Sequence, residues 1–126
     1  MDKVTLISTF ETCVNNLLLH DFPLPLDYID TQIHLTHKTK YFGICRHKVT
    51  KGVMYHTIGL NANFAENGTN KAIINTIYHE LLHTLPECQN HGKVWKMYAN
   101  KVNRLFGLNI CRVGGDKTSL DMECLR

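Results

Sequence analysis

The sequence predicts a small α+β domain: an N-terminal helix, a small antiparallel sheet of about three strands, and two further helices. Three observations carry this. Apolar residues recur at helical spacing towards both ends, alternation with turn signals fills the middle, and 126 residues are one domain's worth of chain. At 44% hydrophobic and 20% charged, the composition supplies a core and excludes a disordered chain, a collagen-like fibre and a disulfide miniprotein.

The first helix runs from Lys3 to Leu19, with Val4, Ile7, Val14, Leu17 and Leu18 as its apolar spacing and Asp2 as its cap. Pro23 and Pro25 end it, since two prolines this close cannot continue a helix. Ile33 to Thr36 alternates as a strand. Tyr41 to Arg46 and Val53 to Leu60 read as two more, joined as a hairpin around Thr50-Lys51-Gly52. Glu66-Asn67-Gly68 is turn chemistry.

From Thr69 the period becomes helical again. Ile73, Ile77 and Leu81, flanked by Ile74, Leu82 and Leu85, form a broad apolar stripe that Pro86 stops. Val94, Tyr98, Val102 and Leu105 or Phe106 define the last helix, with Gly107 as its end cap. The domain is expected to occupy residues 1–110, leaving a polar tail over 111–126.

Charge is unevenly placed. Residues 1–30 carry a net −4, whereas residues 31–65 hold Lys38, Lys40, Arg46, Lys48 and Lys51 and no acid, a net +5. A basic segment of this kind can meet a polyanion, but a solvated face is the plainer reading. No apolar run reaches the roughly 18 residues that a membrane span needs, and acidic residues interrupt the N-terminus where a signal peptide is apolar. The expected compartment is the cytoplasm, with no membrane partner. Five cysteines without a C-x-x-C pair cannot all be bridged and suit buried free thiols.

The stretch that carries chemistry is Tyr78-His79-Glu80-Leu81-Leu82-His83. His79 and His83 are four apart, so a helix sets them on one face, one turn apart. That geometry suits two imidazoles on one Zn²⁺, while Glu80, rotated about 100° around the helix, can reach the water that the metal activates. Two histidines and a glutamate inside an apolar helix also cost stability unless a partner such as a metal compensates. A catalytic zinc wants a third protein ligand and an open position. His91 is the leading candidate, because the chain can return beyond Pro86 and Gly92 allows a tight turn; Cys88 and Glu87 are the competitors.

His79-Glu80-Leu81-Leu82-His83-Thr84, seven residues, then His91-Gly92-Lys93-Val94-Trp95 resembles the SprT-like family, which includes bacterial SprT proteins and the Spartan-type proteases that digest DNA–protein crosslinks. Tyr41-Phe42-Gly43-Ile44-Cys45 and Ile58-Gly59-Leu60-Asn61 are similar to the strand pair ahead of the metal helix there. The resemblance covers roughly residues 3–106. It implies a zincin-like fold and a zinc metallopeptidase, with one zinc per chain on His79, His83 and His91 and Glu80 as general base. Its substrates would be proteins or peptides, DNA-associated proteins among them. Phe42 and Ile44 stand where the family more often has Trp and Ser, and Cys111 and Cys124 do not spell the zinc ribbon of many relatives.

Tyr41, His56 and Tyr78 are nominees for a second oxyanion donor or a substrate contact. Lys38, Lys40, Arg46 and Lys48 are the candidates for DNA contact, and Tyr41 and Phe42 could stack on bases. His20, His34, His37, His47 and His56 otherwise suit surface or satisfied core roles, and Trp95 suits a core anchor. The rival from another class is a non-catalytic module that binds DNA or a partner protein. In it zinc only staples the fold, and a cysteine such as Cys88 or Cys45 closes the site.

Overall fold

The computed structural model describes residues 1–111, so the tail expected over 111–126 lies, Cys111 apart, outside the described residues. Helix α1 spans Lys3–Leu19, and the Asp2 carboxylate caps it by accepting from the Thr5 amide at 2.7 Å. It buries Leu6, Phe10, Cys13 and Leu17. The predicted face is thus wrong in part, since Val4, Ile7 and Leu18 are exposed. Apolar residues run around most of α1, and periodicity cannot choose a face when several would serve.

After a short 3₁₀ turn at Leu26–Tyr28, three strands follow: β1 (His34–Thr36), β2 (Gly43–Thr50) and β3 (Val53–Asn61). Their order is β1-β3-β2, with the last strand central. The β2–β3 hairpin is antiparallel, pairing Thr50 with Val53 at the turn and Gly43 with Leu60 at the far end. Its two turn residues, Lys51 and Gly52, have φ of 53° and 78°, the left-handed pair that a tight two-residue hairpin turn requires. The sheet is nevertheless mixed rather than wholly antiparallel. β1 runs parallel to β3, His34 opposite Gly59 and Thr36 opposite Asn61. Side-chain alternation fixes which face a strand buries and says nothing of its direction.

Asn61 ties the end of β3 to its surroundings. Its amide donates to the Lys38 carbonyl at 2.7 Å, and its carbonyl oxygen accepts from the Phe64 amide at 2.9 Å. The second contact caps a short helix, α2 (Ala62–Asn67), part of which the sequence suggested as a turn.

Helix α3 (Asn70–Leu82) begins where Thr69 caps the Ala72 amide. Ile73, Ile77, Leu81, Leu82 and Leu85 lose all solvent contact, as their stripe predicts. The helix packs against α1, against β2 and β3, and against α4 (Lys93–Phe106). Enclosed this way it also buries its polar residues Asn75, Thr76, His79 and Glu80. α4 buries Trp95, Ala99 and Val102 and ends at Gly107, whose φ of 65° is the expected left-handed cap. Beyond it, Asn103 clasps Ile110 through two hydrogen bonds, 2.7 Å from the Ile110 amide and 2.9 Å to its carbonyl. Cys13 and Cys88 are buried free thiols and Cys45 a half-buried one, while Cys111 departs from the expectation in being disulfide-bonded. None of the described helices is long and apolar enough to cross a membrane.

Candidate metal centre

Three imidazoles converge at the C-terminal end of α3. His79 lies in its last turn, and His83 follows as the C-cap with near-helical angles (φ −69°, ψ −11°), so the four-residue spacing holds past the last regular turn. Amides 83, 84 and 85 then bond three residues back, a tightening that ends the helix before Pro86. Glu87 takes a left-handed φ of 63°, and the chain turns back until His91 faces the helix. Its Nε2 stands 3.0 Å from His79 Nε2 and 3.1 Å from His83 Nε2.

That arrangement fits a zinc ion. Tetrahedral nitrogens about 2.0–2.1 Å from zinc stand about 3.3–3.4 Å apart, so the triad needs to open by only a few tenths of an ångström. His83 Nδ1 is 2.8 Å from the Cys88 carbonyl; donating its proton there leaves Nε2 with the lone pair a metal takes. Burial holds His79 well below the usual histidine value, with the His83 and His91 rings adding to the effect. Burial likewise pulls His83 down to about 4. Both rings are therefore neutral near pH 7 and ready to ligate.

Trp95, fully buried, forms the wall behind the triad. Its ring centroid is 4.8 Å from that of His79, 5.5 Å from His83 with near-parallel planes, and 4.7 Å from His91. It is a core anchor, as expected, but the core it anchors is the three-histidine cluster.

Glu80 sits beside the triad, its Oε2 3.9 Å from His79 Nε2. Burial pushes its carboxyl up to about 8, with the Cys45 backbone amide opposing the shift. Strand β2 approaches so closely that a Cβ built on Gly43 would fall 2.5 Å from Thr76 Cγ2 and 3.1 Å from Glu80 Cγ. Neither Gly43 nor Cys45 was singled out for this role by the sequence. A period-2 pattern marks a strand but not which helix its edge meets.

Comparison with protein families matches the chain to the SprT-like family over residues 10–113. The chain belongs to the SprT-like family. No curated protein and no solved structure matches it individually.

The other candidate residues of this SprT-like chain lie apart from the triad or beside it. Neither Cys88 nor Glu87 nor Cys45 joins the three histidines among the described residues; Cys88 contributes only its carbonyl. The Tyr78 hydroxyl accepts from the Asn16 amide of α1 at 3.0 Å, and its ring stacks on Phe106. The half-buried Tyr41 accepts from Arg46 at 3.3 Å. His56 is buried and paired with His47, their Nδ1 atoms 2.8 Å apart. Lys38, Lys40, Arg46 and Lys48 are all exposed. Among the remaining histidines, exposed His34 meets Asp30 at 2.8 Å and His20 packs edge-on to Phe106.

Proposed function

We propose that this SprT-like chain is a zinc-dependent metalloendopeptidase, with His79, His83 and His91 holding one zinc and Glu80 acting as general base. The observation that carries the reading is the convergence of three Nε2 atoms beside a buried carboxyl, with no thiolate from the described residues closing the fourth position. Such an open three-ligand set distinguishes catalytic from structural zinc. Zinc bound there supplies Lewis-acid chemistry, activating water and polarising the scissile carbonyl. Glu80, ionised once a dication lies nearby, takes the proton from the attacking water on its carboxylate. It then returns that proton to the leaving amine nitrogen, which departs neutral. The Trp95 wall and the His83–Cys88 hydrogen bond hold the rings in place while this occurs. Tyr41, two residues ahead of the Gly43 contact, is the nominee for a second donor to the developing oxyanion, tested by Tyr41→Phe. Tyr78 is turned towards α1 and His56 towards His47.

The substrate class in this reading is protein or peptide. The exposed cations Lys38, Lys40, Arg46 and Lys48 serve protein carried on DNA. The deciding experiment pairs metal analysis with cleavage of an unfolded protein such as casein. Glu80→Gln should keep its zinc and lose turnover, and His91→Ala should lose the zinc. An active Glu80→Gln protein sinks the assignment. Replacing the four cations by alanine should remove salt-sensitive binding to single-stranded DNA; unchanged binding removes DNA from the proposal.

A further inference from the structure

A second cluster of ligating side chains lies on the hairpin. Cys45 and His47 are two apart on β2 and so share a face, and the register sets His56 of β3 directly opposite His47. One ligating atom from each, Cys45 Sγ among them, lies within 4.8 Å of the others. The two imidazoles turn Nδ1 towards Nδ1 at 2.8 Å, ring planes perpendicular. His56 is only 5% exposed, and the hydrogen-bond partner shown for its ring is this other imidazole rather than a carboxylate or carbonyl. His47 is open to solvent and gives an ion a way in.

We propose that Cys45, His47 and His56 form a second site for a divalent transition metal of the zinc type, separate from the histidine triad. The donor set decides the class of ion. One thiolate and two imidazoles suit zinc or cobalt, and calcium and magnesium prefer all-oxygen shells. The alternative is a plain hydrogen bond between the two rings. Conversion to a metal site needs modest change: the nitrogens part by about half an ångström to reach a tetrahedral spacing. The ring that donates through Nδ1 moves its proton to Nε2, a tautomer change with no net charge. The Cys45 thiol loses one proton to solvent for each ion bound. An ion there clasps β2 to β3 at the point where the Cys45 main chain meets Glu80.

The test is Co²⁺ titration of the full chain, read by near-ultraviolet absorption. Thiolate-to-cobalt charge transfer reports a cysteine ligand, and a three-histidine site cannot produce it. The expected result is such a band in the wild type, absent in Cys45→Ser and retained in His91→Ala. His47→Gln, a change at an exposed side chain, should weaken the binding that gives the band at least about tenfold, since loss of even an outer-shell partner costs about that much. Circular dichroism checks that each variant is folded. Absence of the band in the wild type overturns the proposal, as does its survival in Cys45→Ser or undiminished binding in His47→Gln. A band lost equally in His91→Ala places the thiolate on the triad's metal and overturns it too. Failure of the peptidase reading, by contrast, leaves the band unchanged.

Discussion

Gly43→Ala is the substitution that most directly probes how Glu80, the proposed general base, is held. The added methyl carbon would sit 2.5 Å from Thr76 Cγ2 and about as close to Glu80 as a contact can be, 3.1 Å from Cγ and 3.3 Å from Oε2. Carbon atoms pack at about 3.5–4.0 Å, so strand and helix must part by about 1 Å. Overpacking of this kind costs about 1–3 kcal/mol. A displacement of about 1 Å at the reacting groups can cost about a hundredfold in rate. The ligands are untouched. On the proposed function, the expected protein therefore keeps its zinc, loses about 1–3 kcal/mol in urea unfolding, and cleaves casein about a hundredfold more slowly. Thr76→Ser provides the internal control, because it deletes the clashing methyl and keeps the hydroxyl that donates to the Ala72 carbonyl at 2.8 Å. Combined with Gly43→Ala it should recover part of the lost stability, a coupling that only touching residues show. A Gly43→Ala protein as stable and as active as the wild type would refute the close approach of β2 to α3.

Trp95→Leu should destabilise the fold by about 2–4 kcal/mol, near the low end of buried aromatic truncations, and weaken zinc retention in chelator competition about tenfold or more as the rings lose their wall. Asn103→Ala removes both bonds to Ile110 and should cost about 1–3 kcal/mol in thermal or urea unfolding. Burial pushes the Cys13 thiol up to about 12. The unfolded chain ionises that thiol from about 8.5 and the folded one does not, so stability is complete below about pH 8.5 and falls as pH rises towards 12. Cys13→Ala should show a shallower alkaline loss; an identical pH profile refutes the burial argument. Cys13 should also resist iodoacetamide in the folded protein at pH 8, as mass spectrometry of the labelled chain will read.

How much of this the sequence disclosed follows from how local each signal is. The helix from Thr69 was legible because Ile73, Ile77 and Leu81 repeat on one face, and its polar residues then point to their own chemistry. Gly107 and the Lys51-Gly52 turn were legible because their backbone angles demand particular residues. α1 gave its extent and hid its face, since Val4 and Ile7 compete with Leu6 and Phe10 in pattern and lose only when α3 arrives. The direction of β1 depends on the segment returning past Asn61, which no short pattern encodes. His47 and His56 were read singly, although a hairpin turning at 51–52 sets 47 opposite 56. The register held the signal.

The three converging histidines all fall within the thirteen residues from His79 to His91, so closing that loop costs the chain little entropy. The surroundings of Glu80 come from much further away, at Gly43 and Cys45. Gathering the imidazoles and equipping the carboxyl are thus separate events in assembly: the first needs one helix end and its return loop, the second a docked hairpin. If the proposed peptidase assignment holds, ion capture during refolding precedes competence for hydrolysis, with the interval between them set by how fast β2 reaches α3.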